Sequence, residues 1–376
     1  MKTIISHLPI LYSAFAFITA CCISLVVVPF VIRFAKSKSL LDQPDQRKEH
    51  THAIPTLGGF GIFAGFIISF LIWNDYTNLI QIGCVLISLT ILFITGIVDD
   101  LKDLKATHKL LIQIIAATII TFSGIKIESL NGLLGVYELP VSIQYILSVF
   151  LIAGVTNAVN LIDGINGLAG GIILANCLVF VTLFSLSNNT VFSVFAASLG
   201  GGILGFLRYN FNKAKIFMGD TGSLVLGFSI AVMSIKFMQV NTIENANSLI
   251  IVFGILILPV FDTIRVFSIR ILKSKSPFSA DKNHIHHLLI KTGYNHLRSA
   301  LIMYAANAIL IVTAFVLSYY SIKTISSLLV LTTLAVFLSE ILTIKRSSRI
   351  RSRIHYLINE TSKRKEENKL LFRSEK

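Results

Sequence analysis

Apolar runs of about twenty residues recur along the whole chain, and a run of that length is what an α-helix needs to cross the hydrocarbon core of a bilayer. Read between charged residues and Gly, Pro or Asn breaks, they fall near 11–34, 57–74, 79–98, 109–124, 141–161, 168–187, 190–207, 221–239, 247–266, 298–318 and 322–343. In lipid every backbone polar group must be satisfied within the spanning element, so each run is expected as a helix. Composition agrees: 54% of the 376 residues are hydrophobic and 14% are charged, against roughly 25% charged in a soluble domain. The expected fold class is therefore an all-α integral membrane protein of eleven transmembrane helices, the run at 109–124 being the shortest. A disordered chain and a disulfide-stapled module are excluded, since Cys21, Cys22, Cys84 and Cys177 all lie inside apolar runs. Ile18-Thr19-Ala20-Cys21 faintly resembles a lipoprotein cleavage site. The run continues through Val26, Val27, Val28 and Phe30, too long for a signal peptide, and is expected to be retained as the first span.

A net charge of +14 would suggest nucleic acid in a soluble protein. With alternating spans, however, the connections 33–56, 99–109, 208–220 and 265–298 and the tail from 344 share one side and hold 29 of the 33 Lys and Arg residues. The other side has Lys2, Lys126, Lys236 and Lys323. The positive-inside rule makes the first set cytoplasmic, with the N-terminus outside and the C-terminus inside. The charge is read as topology, and no nucleic-acid partner is expected. Residues 1–343 form the expected polytopic membrane domain, and 344–376 a basic cytoplasmic tail resting on anionic headgroups. The 125–140 stretch, with Asn131-Gly132 between Ile/Leu and Leu/Val runs, is expected as a short external hairpin.

Ionisable groups at a membrane face are functional candidates by default. Asp42, Asp99, Asp100, Asp103, Asp163 and Asp220 all sit at or near span ends on the basic side, an expected cytoplasmic-face active site. The opposite side has only Asp75, Glu128, Glu138 and Glu244, scattered in ordinary loops. Between the first two spans, Arg47, Lys48 and His50 suit an anion. Pro44, Pro55 and the Gly58-Gly59 pair imply a fixed loop whose backbone approaches something closely; a charged stop-transfer loop is the other reading. If the third helix persists past its apolar run, Asp99 and Asp103 share a face with Asp100 on its flank. Three like charges repel unless a cation joins them, and Mg²⁺ suits carboxylates plus phosphate oxygens. Lys105 and Lys109 could neutralise the group instead.

Asn157, Asn160, Asp163 and Asn166 lie in ten residues joining two apolar spans, with Gly164 and Gly167 exposing backbone, a composition suited to hydrogen-bonding a sugar or base. Tyr209-Asn210 leads to Gly219-Asp220-Thr221-Gly222-Ser223 at a helix N-terminus. There the helix end would attract a phosphate and Asp220 a cation; an N-capping Asp is the alternative. The largest basic-side connection carries Lys282, His284, His286 and His287 after Arg265, Arg270, Lys273 and Lys275. No cysteine or second ligand cluster accompanies the histidines, so phosphate binding or proton handling fits better than zinc. His7, His108, His296 and His355 stand alone and are read as structural.

In this order, Asp-x-Pro-x-x-Arg-Lys-x-His at 42–50, Asp-Asp-x-x-Asp at 99–103, Asn-x-x-Asn-x-x-Asp-Gly-x-Asn-Gly-Leu at 157–168, Gly-Asp-Thr-Gly-Ser at 219–223 and His-Ile-His-His at 284–287 resemble the polyprenyl-phosphate N-acetylhexosamine-1-phosphate transferase family. The resemblance covers roughly residues 10–340 and implies an enzyme that transfers a sugar-1-phosphate, most simply GlcNAc-1-phosphate, from a UDP-N-acetylhexosamine to undecaprenyl phosphate with release of UMP. It implies a bacterial cytoplasmic (inner) membrane setting and a role in starting a lipid-linked glycan such as O-antigen, enterobacterial common antigen or teichoic acid. The branch acting on UDP-MurNAc-pentapeptide typically has three consecutive histidines, and Ile285 interrupts that run here. By matching position the resemblance makes Asn160 and Asp220 ligands of Mg²⁺, with Mn²⁺ as a substitute, Lys109 a contact of the diphosphate, and Asn166 a reader of uracil. His286 and His287, with Lys282 and Arg270, would receive the sugar phosphate, and Asp99 and Asp100 would lie beside the lipid phosphate. A homodimer is allowed for. The competing class is an ion-coupled transporter, against which the acids cluster at one face and no pair of broken helices is evident. A non-catalytic lipid-carrier-binding protein is a third option.

Overall fold

Each of the apolar runs corresponds to a helix over its described residues in the computed structural model, which describes residues 2–41, 53–243, 247–276, 283–320 and 322–340. In chain order the elements are α1 (Lys2–Ser37), α2 (Gly59–Trp73), α3 (Leu79–Lys102), α4 (Ala106–Phe122), a hairpin of β1 (Ser129–Leu133) and β2 (Val136–Glu138), α5 (Val141–Ile162), α6 (Leu168–Leu186), α7 (Thr190–Asn210), α8 (Gly219–Val240), α9 (Ser248–Leu272), the short α10 (Ile285–Lys291) and α11 (His296–Tyr319). The described chain ends in α12 (Thr324–Glu340). By length and composition α1, α3, α5, α6, α7, α8, α9 and α11 can cross a membrane, while α2, α4 and α12 are shorter apolar helices. The chain is an all-α, multi-pass integral membrane protein. Arg47, Lys48, His50, Lys282 and the tail 344–376 lie outside the described residues.

Helices α7 and α8 form the centre, α7 against α1, α2 and α6, and α8 against α3 and α5. Lipid supplies no hydrophobic drive between helices, so close backbone approach must hold them. Small residues on α7 permit it: a Cβ at Gly201 would stand 2.1 Å from the Phe17 carbonyl oxygen of α1. Hydroxyls tie the same helices, Ser13 to Ser193 at 2.7 Å and Ser69 to the Ala16 carbonyl at 2.6 Å. The outward face of α1, with Ile18, Val26 and Phe30, stays exposed as a lipid-facing surface should.

Within α9, Pro259 has no N–H to offer the Ile255 carbonyl one turn earlier. Asn176 of α6 donates its amide to that carbonyl at 3.4 Å, and Asn307 of α11 donates to Asn176 Oδ1 at 2.9 Å. One missing hydrogen bond thus explains two buried amides and ties α6, α9 and α11 together.

A hairpin forms in the 125–140 stretch as expected, but its turn is elsewhere. Leu134 and Gly135 take positive φ and make the reversal, while Asn131 and Gly132, also at positive φ, sit inside β1 as an irregularity. The reason is a tertiary contact: Asn131 Nδ2 donates to Ser248 Oγ of α9 at 2.8 Å, so the Asn-Gly pair serves docking and not reversal.

Candidate active site

Because successive spans alternate in direction, the ends of α3, α5, α7 and α9 and the starts of α4, α6, α8 and α11 meet at one face. The start of α8 is the hub. Phe217 donates its N–H to the Pro55 carbonyl at 2.7 Å, and Gly58 and Gly59 donate to the Phe217 and Met218 carbonyls, both at 2.9 Å. This is the close backbone approach expected of the glycine pair. From the other side α3 comes equally near, since a Cβ at Gly96 would lie 2.4 Å from Thr221 Cα.

One helical turn beyond Gly96, Asp100 reaches the exposed N–H groups of α8. Its Oδ1 accepts the Asp220 N–H at 2.9 Å; Oδ2 accepts the Thr221 N–H at 3.1 Å and the Thr221 hydroxyl at 2.5 Å. The helix end is capped in trans by a carboxylate from another helix, favourable for hydrogen bonding and for the helix dipole alike. Gly219, at φ 70°, is required there, because a side chain would strike the Asp100 carboxylate and the Thr56 carbonyl. The α8 start therefore acts neither as an empty phosphate cradle nor as a helix capped by its own Asp220.

With its own end capped from α3, α8 leaves the Asp220 side chain free to turn inward. Asn160 of α5 donates Nδ2 to Asp220 Oδ1 at 2.9 Å and to Ser223 Oγ at 2.8 Å. Lys109 of α4 lies 2.9 Å from Asp220 Oδ2 and 3.1 Å from Asp99 Oδ2, with its side chain 22% exposed. Carboxylate oxygens of Asp99, Asp100 and Asp220 all lie within 4.8 Å of one another, a donor set able to hold a metal ion among the described residues. These are hard oxygen ligands, the chemistry a small divalent cation requires. One ammonium pairs with two of the three carboxylates here, Asp99 and Asp220, so the group attracts further positive charge.

Asp103 does not join the cluster. Helix α3 stops at Lys102; Asp103 takes φ 49°, donates its N–H to the Asp99 carbonyl and is exposed. The shared face expected of Asp99 and Asp103 needs a helix that persists. Instead the Asp99 side chain accepts the Leu104 N–H at 2.8 Å, which secures the chain's exit.

The turn between α5 and α6 lies alongside. Asp163, the half-buried C-cap of α5, has its carboxyl pushed up to about 8 by burial and then by the charges of Asp220 and Asp100. Asn166 donates its amide to the Asn212 carbonyl at 3.1 Å and its N–H to His296 Nδ1 at 3.4 Å. Asn210, expected to bind substrate, is buried, accepting the Gly167 N–H at 2.7 Å and donating to the Ile216 carbonyl at 2.9 Å. It joins the two loops and has both amide atoms engaged. Tyr304 of α11, which the sequence did not single out, secures the same turn through the Gly167 carbonyl at 2.5 Å.

The three histidines come together at α10. His284 and His286 are stacked with centroids 5.6 Å apart, and His287 lies 4.3 Å from His286. His286 is fully buried, and burial with the adjacent His287 ring holds it well below the usual imidazole range. Its Nε2 faces Gly164, where a Cβ would stand 2.2 Å away. The histidine segment therefore abuts the Asp163 turn. His284 is held by Asp262 of α9, a residue the sequence reading passed over although it is the sole acid in the run 247–266.

An apolar groove of about 750 Å³ opens between α4, α5 and α9, with Leu110, Asn157 and Thr263 at one end and Phe122 and Tyr145 at the other. Tyr145 and Asn157 stand twelve positions apart on α5, about 18 Å at the helical rise. Its polar end adjoins Lys109 and Asn160, the neighbours in sequence and in space of Leu110 and Asn157.

Comparison with known proteins shows the family. The glycosyl transferase family 4 profile matches residues 82–238, which hold the acid pair, Lys109, the asparagine motif and Asp220. A probable undecaprenyl-phosphate N-acetylglucosaminyl 1-phosphate transferase of Bacillus subtilis is 39% identical over 307 residues, 80% of this chain and 84% of that protein. The undecaprenyl-phosphate alpha-N-acetylglucosaminyl 1-phosphate transferase of Escherichia coli O157:H7 is 28% identical over 78% of this chain and 80% of its own length. Its counterpart in Salmonella typhi is 28% identical over 72% and 74%. The chain belongs to glycosyl transferase family 4.

Proposed function

We propose that the protein transfers N-acetylglucosamine-1-phosphate from UDP-N-acetylglucosamine to undecaprenyl phosphate at the cytoplasmic face of a bacterial inner membrane. The observation that carries this reading is the placement of Lys109, Asp99 and Asp220 at the polar end of a membrane-depth apolar groove. A water-soluble donor and a lipid acceptor can meet only at such a boundary. The names of the relatives supply the donor sugar and the acceptor. The excess of Lys and Arg on the loops of this face supports its cytoplasmic orientation.

In the reaction an oxygen of the acceptor phosphate attacks the β-phosphorus of the donor. The bond from that phosphorus to the bridging oxygen breaks, and UMP leaves with the electron pair. Both substrates are anionic, so neutralisation of charge dominates the barrier. Asp220, Asp99 and the carbonyl oxygen of Asn160, whose amide nitrogen is engaged by Asp220 and Ser223, are the groups that would hold Mg²⁺. The ion would supply charge for the donor diphosphate and the departing phosphate. Lys109 adds a second cation in contact with both acids. A phosphate monoester loses its second proton near a pKa of about 6, so the acceptor is largely dianionic at neutral pH and Asp99 orients it without acting as a base. Asp163 and Asn166 are placed to contact the sugar nucleotide, and the groove takes the polyprenyl chain.

The test is the reaction itself: purified protein, UDP-N-acetylglucosamine, undecaprenyl phosphate and Mg²⁺ should yield UMP and a lipid-linked sugar diphosphate. A folded preparation that releases no UMP from any UDP-N-acetylhexosamine would end this reading.

A further inference from the structure

Helix α9 carries a buried carboxylate that none of these steps uses. Asp262 is 1% exposed, and a carboxylate so placed persists only when paired and hydrogen-bonded. Its Oδ1 accepts the Ile285 N–H at 3.1 Å and a guanidinium N–H of Arg265 at 3.1 Å; its Oδ2 accepts from His284 Nδ1 at 2.8 Å. The same Arg265 nitrogen donates to the Asn283 carbonyl at 2.6 Å. Residues 283, 284 and 285 are thus each tied to one carboxylate–guanidinium pair on α9.

The far end of this arrangement is His286. Its ring stacks on the clamped His284, and its Nδ1 and Nε2 have no hydrogen-bond partner among the described residues although the side chain is fully buried. A buried imidazole with two unpaired nitrogens is costly. Within its own seven-residue helix the His287 ring, 4.3 Å away, is its neighbour, and the ring of the preceding His284 stacks on its other side.

We propose that Asp262 is a positioning residue. By supplying the cap for α10 and holding the His284 ring, it keeps His286 against Gly164 and the Asp163 turn. This rests on the transferase reading only for its effect on turnover, because the positioning itself can be measured without activity.

The test uses the full-length protein in detergent with Asp262→Ala and the isosteric Asp262→Asn. The Asn variant keeps one acceptor for the Ile285 N–H and turns its amide toward His284. Diethylpyrocarbonate labelling read by mass spectrometry follows His284 and His286, with exposed His108 as internal standard. Both variants should label His284 and His286 about tenfold faster than wild type, reflecting local opening of α10, while His108 is unchanged. Turnover should fall about tenfold or more with the donor KM within about twofold, the signature of an interaction lost in the transition state alone. Continued protection of His286 in both variants would overturn the proposal, as would a raised KM at unchanged kcat. A wild-type protein that releases no UMP, with variants that still expose His286, would remove the transferase reading and leave the positioning role standing.

Discussion

Asp99 and Asp100 are adjacent in sequence and both belong to the acidic cluster, yet their surroundings give them separable roles. Replacing Asp100 with Ala removes the acceptor of three donors at the start of α8: the Asp220 N–H, the Thr221 N–H and the Thr221 hydroxyl. Thr221 is fully buried, so water does not replace the lost partner, and each unsatisfied buried donor costs about 1–3 kcal/mol. The Asp220 end is partly open to solvent, and the Thr221 hydroxyl is free to rotate. Together the change should destabilise the protein by about 2–4 kcal/mol, above the roughly 1 kcal/mol typical of a lost N-cap. Asp99→Asn differs: the amide oxygen still accepts the Leu104 N–H, the part-exposed Lys109 loses one ion pair but keeps Asp220, and a like charge is removed from beside Asp220, so stability should change by less than about 1 kcal/mol while turnover is lost. A thiol-reactive fluorophore reporting the exposure of buried Cys177 on heating gives the melting temperature in detergent. UMP release gives activity. Asp100→Ala melting with wild type, whether or not it turns over, would refute the claim that this carboxylate holds α8 in place. Equal loss of stability in Asp99→Asn would refute the division of labour.

Two further outcomes follow from the same geometry. Gly164→Ala places a methyl against His286 Nε2; the ring must move, and turnover should drop about tenfold or more with a cost to stability of about 1–3 kcal/mol, measured by UMP release and by the thermal shift. For Asp163, a folded-state pKa of about 8 against an ordinary carboxyl value means the native protein binds the extra proton. Its contribution to stability in the absence of divalent cations is therefore present at acid pH and is lost as pH rises towards 8. Asp163→Asn should flatten that fall in a series of thermal melts, and an unchanged slope would exclude Asp163 as its source.

Much of the fold was legible because lipid removes alternatives. A run of apolar residues in a bilayer must be a helix, so the boundaries of α5, α6 and α8 fall within a few residues of their apolar runs. The candidate residues were legible for a related reason: charge at a membrane face is expensive and therefore sparse, so the motifs containing Asp99, Asn160 and Asp220 stand out from their surroundings. What failed were statements that depend on a side-chain to backbone or side-chain to side-chain contact outside the motif's own pattern. Whether α3 continues to Asp103 depends on the bond from Leu104 to the Asp99 side chain, and whether Asn131-Gly132 turns the hairpin depends on Ser248, more than a hundred residues away. Asn210 reads as a ligand-binding amide until the Gly167 and Ile216 backbone groups it satisfies are in view. Asp262 was missed because a single acid in a hydrophobic run has no motif until the chain returns His284 to it.

The helix N-terminus shows most clearly how packing alters chemistry. Glycines around an aspartate at the start of α8 suggest that the helix end itself receives phosphate, since its free N–H groups and dipole favour an anion. Asp100 already satisfies those groups. An incoming phosphate would have to displace a bound carboxylate of like charge, so the helix end offers it little net attraction. Attraction must instead come from Lys109, which follows the helix start next to groove-lining Leu110, and from any cation that the acids would hold. With the helix end already satisfied, Lys109 is the cation that the described residues place in this acidic cluster, so on the proposed function a lipid phosphate whose tail lay in the groove would depend on Lys109 and on a bound cation rather than on the α8 dipole.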